Sequence, residues 1–167
     1  MPVISIVNTA IFDSGSVQKL ASSLAQQGSK RPMLVTDQGL VAAGIVATVI
    51  TAAGEGGFAA IFDQTPPNPD ENSVIAATKV FLDAGCDGVV GLGGGSSMDL
   101  AKAVALLASH EGPLEKYGAS VRGGKFITKT CPIIAIPTTS GTGSEVSVGA
   151  VVVLNNGRKE TFLSPDR

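Results

Sequence analysis

Residues 91–102 carry the clearest chemical signal in the chain, with the sequence GLGGGSSMDLAK. Four glycines in five positions separate a short strand pattern at 87–90 from a helical pattern at 98–108. Glycine lets the backbone approach a phosphate closely, and the first N–H groups of a helix attract anions. We call residues 93–96 the glycine loop and predict that it binds a phosphate or a dinucleotide. The alternative is a tight turn, which needs one or two glycines rather than four.

A second polar stretch, with the sequence TTSGTGS, occupies residues 138–144 directly after a predicted strand. We call it the hydroxyl loop, because it offers five hydroxyl groups beside two glycines. Hydroxyl groups at this density suit ribose, adenine edges or phosphate oxygens. The alternative is a polar turn rich in serine and threonine, which is a common structure.

Asp37 follows the predicted strand at 32–36. A carboxylate at a strand end accepts hydrogen bonds from ribose hydroxyls but repels a 2′-phosphate, so it favours NAD over NADP. The alternative is a capping role for the helix that starts at Gln38. Asp37 precedes the glycine loop, whereas the acid of the usual dinucleotide fingerprint follows its glycines by about 20 residues. The sequence therefore indicates a different nucleotide fold.

Strand and helix patterns alternate along the chain, which predicts an α/β fold with a parallel sheet and helices on both faces. Because ligands bind at the carboxyl ends of such strands, Asp37, residues 66–68 and both loops are expected to share one edge. A C-terminal β-hairpin is predicted at 146–163, and a short helix with an exposed loop at 111–130. The strands are predicted at 3–7, 32–36, 58–62, 87–90 and 132–136, and the helices at 14–27, 38–53, 70–84 and 98–108.

Composition limits the classes of function. The 167 residues are 44% apolar and 16% charged with a net charge of −2, which favours one globular domain and argues against nucleic acid as a partner. No apolar run reaches the ~18 residues of a membrane helix, and no secretory signal is visible, so we predict a cytoplasmic protein without a membrane partner. Cys86 and Cys131 are expected to be buried free thiols.

His110 is the only histidine in the sequence. A catalytic zinc or iron centre usually takes two or three histidine ligands, which this chain cannot supply by itself. We therefore predict no metal site in the chain, and we expect His110 to serve as a polar or cationic group at the end of the helix after the glycine loop.

Residues 93–102 and 137–145 together resemble the iron-containing (group III) alcohol dehydrogenase family, and residues 35–39 and 67–69 fit the same pattern. The similarity runs in order through residues 3–165. It implies a Rossmann-like, dehydroquinate synthase-like sheet that makes up an NAD(P)-binding domain over residues 1–167. In the family, a helical domain follows and holds Fe²⁺ or Zn²⁺. The family moves hydride between NAD(P) and a primary or secondary alcohol or its aldehyde or ketone.

The resemblance also implies roles for individual residues near the phosphates and the adenosine ribose. Gly94, Gly95 and Ser96 correspond to the positions that hold the pyrophosphate. Asp37 corresponds to the position beside the adenosine ribose, and Asn68 is expected near the ribose or the pyrophosphate.

Further roles implied by the resemblance concern the two ends of the cofactor. Thr138 and Thr139 are expected on the adenine side, and Lys159 is expected to contact a ribose. Asp99 is expected to brace the glycine loop and to face the cofactor. Three more side chains are expected to line the nicotinamide end: Thr142, Ser144 and Ser147.

The family's metal ligands, one aspartate and three histidines, are expected beyond residue 167. The chain alone is therefore expected to contain no catalytic residue, to bind NAD weakly and to lack turnover. One alternative is a non-catalytic nucleotide-binding module, which would end naturally at Arg167. Another is a related reductase of the maleylacetate reductase or glycerol dehydrogenase type. Residues 97–99 and 141–145 argue against relatives of glycerol dehydrogenase and dehydroquinate synthase, and the Gly-Thr-Gly sequence at 141–143 fits the closer maleylacetate reductases less well. A small alcohol or aldehyde is the expected substrate; its identity, the metal and the choice between homodimer and higher oligomer stay open.

Overall fold

A four-stranded parallel sheet forms the centre of the protein in the computed structural model, which describes residues 9–163. Its strands are β1 (Pro32–Val35), β2 (Ala60–Phe62), β3 (Gly88–Gly93) and β4 (Ile133–Pro137), in the order β2-β1-β3-β4. In the register, Gly91 lies between Val35 of β1 and Ala135 of β4, so the carboxyl ends of the three strands meet. The predicted parallel α/β sheet is confirmed, whereas the strand predicted at 3–7 lies outside the described residues.

Five α-helices connect and cover these strands. They are α1 (Leu20–Gln26), α2 (Gln38–Ala42), α3 (Ile45–Ala53), α4 (Glu71–Asp83) and α5 (Gly95–Ser109), and a 3₁₀ turn at Ser16–Lys19 leads into α1. Gly28 ends α1 with a φ of 78°, as predicted. The single helix predicted at 38–53 is wrong, because Gly44 adopts a left-handed φ of 75° and separates α2 from α3. Among residues 9–163, no helix is long and apolar enough to cross a membrane.

Alternate side chains of the sheet pack against helices on opposite faces, as the period of a strand requires. Met33 and Val35 belong to the apolar cluster that includes α4 and α5, whereas Leu34 packs with α1 and α3. Every residue of β1 and β3 is buried. The core thus fixes the position of β3 relative to α5, the two elements that flank the glycine loop.

The predicted β-hairpin is confirmed, with β5 (Gly149–Val153) antiparallel to β6 (Lys159–Leu163). Gly157, with a φ of 80°, allows the turn between them. The first strand begins three residues later than predicted, so Ser147 lies in the preceding loop. Val152 and Phe162 share the apolar cluster of α5, which places the hairpin against that helix.

Residues 111–130 form three short 3₁₀ segments, at Leu114–Tyr117, Ala119–Val121 and Gly123–Phe126. The prediction of a short helix and an exposed loop is wrong here, because Leu114, Tyr117 and Ile127 are buried in the α5 cluster. The Tyr117 hydroxyl donates to the Glu111 carbonyl at 2.5 Å, so the one polar atom of this buried ring is satisfied.

Cys86 and Cys131 are free and half-buried, close to the predicted state. Burial raises the pKa of both thiols, that of Cys131 to about 11. Both are therefore protonated at neutral pH, and neither is an activated nucleophile.

Asp87 ties the α1–β1 loop to the start of β3, at the edge of the sheet opposite the glycine loop. It accepts hydrogen bonds from the Ser29 hydroxyl at 2.8 Å and from the N–H groups of Lys30 and Arg31 at 2.9 Å. Burial raises the pKa of Asp87, but these hydrogen bonds outweigh burial and bring the pKa below its ordinary value.

We expect Asp87→Ala to lower the free energy of unfolding by about 1–3 kcal/mol at pH 7, because three donors lose their acceptor. Asp83→Ala is the control, since its pair with Lys79 is exposed and contributes about 0–1 kcal/mol. The stabilisation by Asp87 is present above its unfolded-state pKa of about 3.9 and is lost as the pH falls through the lower folded-state pKa. Denaturant unfolding measures the free energy of unfolding of the wild type and of Asp87→Ala from pH 7 to pH 2.5, and the difference between the two proteins should shrink as the pH falls. A difference that stays constant would contradict the ionic role of Asp87.

Candidate nucleotide-binding site

The N-terminus of α5 opens at the carboxyl end of β3. Its N-cap is Gly94, which makes no side-chain cap hydrogen bond, and the helix begins at Gly95 rather than at Met98 as the sequence pattern predicted. Gly95, Ser96 and Ser97 therefore lie in the first turn, where backbone N–H groups lack intrahelical acceptors. Only the next amide, that of Met98, reaches a carbonyl, at 3.2 Å from Gly94 O. This helix start is suited to an anion.

The glycines of this stretch divide into two kinds. A Cβ at Gly91 would lie 2.9 Å from Ala101 Cβ, and a Cβ at Gly93, whose φ is 147°, would lie 2.5 Å from Ser97 Oγ. These two glycines permit close packing of β3 against α5 and the turn between them. A Cβ at Gly94 or Gly95 would instead make only ordinary contacts, with Thr139 and Thr142. These two glycines are therefore not required by packing, and without side chains they leave the backbone of the helix start uncovered.

The hydroxyl loop lies beside the glycine loop, as the shared sheet edge predicts. A Cβ built at Gly94 would lie 3.4 Å from Thr139 Oγ1, and one at Gly95 would lie 3.5 Å from Thr142 Cβ. The Thr138 N–H donates to Gly93 O at 2.9 Å and continues the pairing of β3 with β4. Thr138, Thr139 and Thr142 are exposed. The Thr142 hydroxyl donates to Glu145 Oε2 and accepts from Ser144 N, both at 3.3 Å, so a ligand would have to compete with these contacts.

A narrow cleft of about 200 Å³ lies on the other side of the helix start. Lys159 Nζ donates to Asn68 Oδ1 at 3.1 Å, and Asn68 N donates to Ser96 Oγ at 3.3 Å. Asn68 has a φ of 56°, an uncommon conformation that asparagine tolerates best among residues with a Cβ. The cleft brings together five residues singled out in the sequence: Asn68, Gly95, Ser96, Asp99 and Lys159.

The exposed ammonium of Lys159 is the cationic group of this cleft, and Asp99 is its acidic group. The positive end of α5 and the Lys159 ammonium therefore reach the same small volume from two elements. Two independent positive features at one point favour a ligand that carries negative charge there.

Asp99 holds the end of the hydroxyl loop and the strand β5, rather than the glycine loop that it was expected to brace. Its Oδ1 accepts from the Ser144 hydroxyl at 2.6 Å, and its Oδ2 accepts from Val151 N at 3.1 Å. Ser144 is buried, and its hydroxyl also accepts from Lys102 Nζ at 3.1 Å, so the hydroxyl donates and accepts within the protein. Asp99 thus braces the second wall of the site from α5.

Asp37 lies half-buried at the end of β1, next to the first turn of α5. Its Oδ1 accepts from Leu40 N at 3.1 Å, which is the capping contact considered as the alternative, while Oδ2 lies 3.5 Å from Ser97 Oγ. Capping thus uses Oδ1 and leaves Oδ2 with a weak contact. The side chain can therefore cap α2 and accept from a ligand hydroxyl.

Three further predicted residues, Thr138, Thr139 and Ser147, border a larger groove of about 1,140 Å³ beside β4. Ser147 Oγ accepts from Gly149 N at 3.0 Å. The predicted residues therefore do not share one cavity: five line the narrow cleft, three line the groove, and four line neither, namely Asp37, Gly94, Thr142 and Ser144.

Metal ligands are not gathered in residues 9–163, where no group of three or more His, Cys, Asp or Glu side chains could hold an ion. His110 caps the end of α5, as predicted: its Nε2 accepts from Thr128 N at 2.8 Å, which leaves Nδ1 to donate to Leu106 O at 2.9 Å.

Lys102 is the residue that the sequence interpretation missed. The glycine motif ends at this residue, and its half-buried ammonium contacts the backbone from the end of the hydroxyl loop onwards. Its spacing of three residues from Asp99 was an available signal, since residues i and i+3 share a helix face.

The fold and the helix start define a Rossmann-like α/β protein whose sheet edge is suited to an anion. The family model described as iron-containing alcohol dehydrogenase matches residues 8–167. A 4-hydroxybutyrate dehydrogenase of Cupriavidus necator is 51% identical over 155 residues, which cover 92% of this chain and 40% of that protein. The chain belongs to the iron-containing alcohol dehydrogenase family, as the sequence motifs predicted.

Two solved structures have the same fold. The sulfoacetaldehyde reductase of Bifidobacterium kashiwanohense in complex with NAD⁺ matches with a TM-score of 0.87 at 29% identity, covering 99% of this chain and 44% of that one. A 1,3-propanediol oxidoreductase matches with a TM-score of 0.87 at 32% identity, covering 95% of this chain and 41% of that one. The chain thus spans about two fifths of the length of these relatives.

Proposed function

We propose that this chain is the NAD-binding α/β domain of a metal-dependent alcohol dehydrogenase. The observation that carries the proposal is the uncapped start of α5, bordered by the hydroxyl loop on one side and by Lys159 and Asn68 on the other. The whole protein interconverts a small primary or secondary alcohol and its aldehyde or ketone in the cytoplasm. We place its iron or zinc in the part of the family's length that this chain does not span.

In this proposal, bound NAD supplies the hydride acceptor, and the residues of this chain bind and orient it. The N–H groups of the glycine loop and the Lys159 ammonium hold the pyrophosphate, with Asn68 beside it. Exposed hydroxyls of Thr138 and Thr139 meet the adenine side, and Thr142 and Ser147 lie towards the nicotinamide end. The relatives named for 4-hydroxybutyrate and 1,3-propanediol support a small, polar alcohol as substrate.

Titration of the purified chain with NADH tests the proposal. The chain has no tryptophan and one tyrosine, so the fluorescence of the reduced nicotinamide can be followed with little protein background. We expect saturable binding that ADP displaces, because both ligands share the diphosphate. Absence of binding up to millimolar NADH, with the chain folded by circular dichroism, would contradict the proposal.

Asp37 is proposed to select NAD over NADP. We expect Asp37→Ser to reduce the ratio of NAD to NADP affinity by roughly tenfold or more, because the carboxylate that repels the 2′-phosphate is lost. Serine keeps an oxygen that can cap α2, so it separates the cofactor effect from helix stability better than glycine does. Asp70→Ser, at the cap of α4, is the matched control. Competition of NAD and NADP against NADH measures the ratio, and an unchanged ratio would refute the role.

A further inference from the structure

Lys102 lies one turn after Asp99 on α5 and points its ammonium at the backbone beyond the hydroxyl loop. Its Nζ lies within hydrogen-bond distance of three carbonyl oxygens, Ser144 O at 2.5 Å, Gly149 O at 2.9 Å and Ser147 O at 3.0 Å, and of the Ser144 hydroxyl at 3.1 Å. An ammonium carries three N–H donors, so these four oxygens can use all of them. The contacts join residues 42 to 47 positions apart in the sequence.

This lysine is costly to keep charged. Its side chain is 13% exposed, and burial lowers its pKa, although the carboxylates of Asp99 and Glu145 act in the opposite direction. Burial of a charge is unfavourable unless hydrogen bonds and opposite charge compensate for it. Here the compensation comes mainly from main-chain carbonyls, with Asp99 Oδ1 3.9 Å away.

The segment that Lys102 contacts connects the hydroxyl loop to β5. The hydrogen bonds within this segment join residues close in the sequence, such as Ser147 N to Gly143 O at 3.0 Å. Asp99 and Lys102 add contacts across space, from the same helix whose first turn lies at the glycine loop. We call these two residues the α5 clamp, because together they fix residues 144–151 to α5.

We propose that Lys102 is a positioning residue of the cofactor site, whose ammonium fixes residues 144–149 at a set distance from the start of α5. The inference rests on the proposed function, because it assigns that distance to the fit of a dinucleotide. The pyrophosphate meets the start of α5, whereas the nicotinamide end meets residues 142–147. Loss of the clamp therefore loosens the contacts to one end of the ligand.

This arrangement predicts unequal effects on two ligands. ADP uses the glycine loop and the adenine side, whereas NADH also uses the part that the clamp positions. We expect Lys102→Met to weaken NADH binding about tenfold and ADP binding by less than about twofold, as for loss of one charge-assisted contact. Lys79→Met is the matched control, because Lys79 is an exposed helix lysine paired with Asp83. Equal losses for both ligands would overturn the proposal.

Hydrogen–deuterium exchange gives a readout that does not depend on the cofactor. In Lys102→Met, amides of residues 142–149 are expected to exchange faster while those of α4 keep their protection. Unchanged exchange at 142–149 would overturn the clamp. If the wild-type chain binds neither ligand, the proposed cofactor function fails, and exchange still decides whether Lys102 holds this segment.

Chemical rescue covers the case in which the methionine variant folds poorly. Propylammonium replaces the atoms that Lys102→Ala removes beyond Cβ, so it is expected to restore NADH affinity and slow exchange at 142–149. Tetramethylammonium, which carries the same charge without N–H donors, is expected to do neither. Equal effects of the two cations, or no effect of either, would exclude the ammonium contacts as the cause.

Discussion

Replacement of Gly95 by aspartate is expected to weaken NADH binding by roughly thirtyfold to a thousandfold without disrupting the fold. The carboxylate would lie in the first turn of α5, where the diphosphate is proposed to bind. Repulsion between charges about 4 Å apart near a protein surface is about 2–4 kcal/mol, which gives that range. A Cβ at this position meets Thr142 Cβ at 3.5 Å, an ordinary contact.

The same charge should favour the helix itself, because acidic residues in a first turn interact well with the helix dipole. We therefore expect the melting temperature of Gly95→Asp to equal or exceed that of the wild type. Gly95→Asn is the matched control, with nearly the same shape and no charge, and it should bind NADH more tightly than the aspartate variant. NADH affinity that is equal in the two variants would show that charge at the helix start does not matter.

Replacement of Gly91 by alanine is expected to destabilise the protein by about 1–3 kcal/mol. The new Cβ would lie 2.9 Å from Ala101 Cβ and 3.2 Å from Met98 Cα. Both belong to α5, so the helix and β3 must move apart, which is the cost of overpacking a core. Thermal unfolding should show a decrease of roughly 3–10 °C.

Gly95→Ala provides the comparison for this variant. It adds the same methyl group four residues later, where the nearest atom is 3.5 Å away. We expect its melting temperature to match or exceed that of the wild type, since alanine is favoured over glycine in helices. If Gly91→Ala were as stable as Gly95→Ala, close packing of β3 on α5 would not be the reason for glycine at 91.

The order of strands and helices could be predicted because, along most of the chain, the spacing of apolar residues and the glycines that end the elements indicate the same boundaries. The prediction of a single helix at 38–53 was wrong, because the apolar residues continue through this stretch and gave no sign of the turn at Gly44. The stretch at 111–130 looked exposed because its composition is polar, yet Leu114, Tyr117 and Ile127 are buried in the α5 cluster, while Val121 and Phe126 are exposed. Tertiary packing of this kind leaves no local signal.

The glycine loop could be recognised from its residues, but the start of α5 could not be placed correctly. Glycine and serine have low helix propensity, so the pattern put the start at Met98. In the structure, packing of Ser97 and Met98 against β3 extends the helix back to Gly95. The family resemblance implied that Lys159 and Asn68 each lie near the cofactor, but it did not predict the hydrogen bond between them. No local spacing rule connects residues so far apart in the sequence.

The hydrogen bond from Lys159 to Asn68 joins positions 91 residues apart. Closing so long a segment of chain costs entropy that the contacts of the docked hairpin must offset. The narrow cleft therefore exists only in a chain whose β5–β6 hairpin is docked on α5. A ligand that needs the complete cleft binds the folded chain but not the unfolded one. Its binding therefore raises the free energy of unfolding.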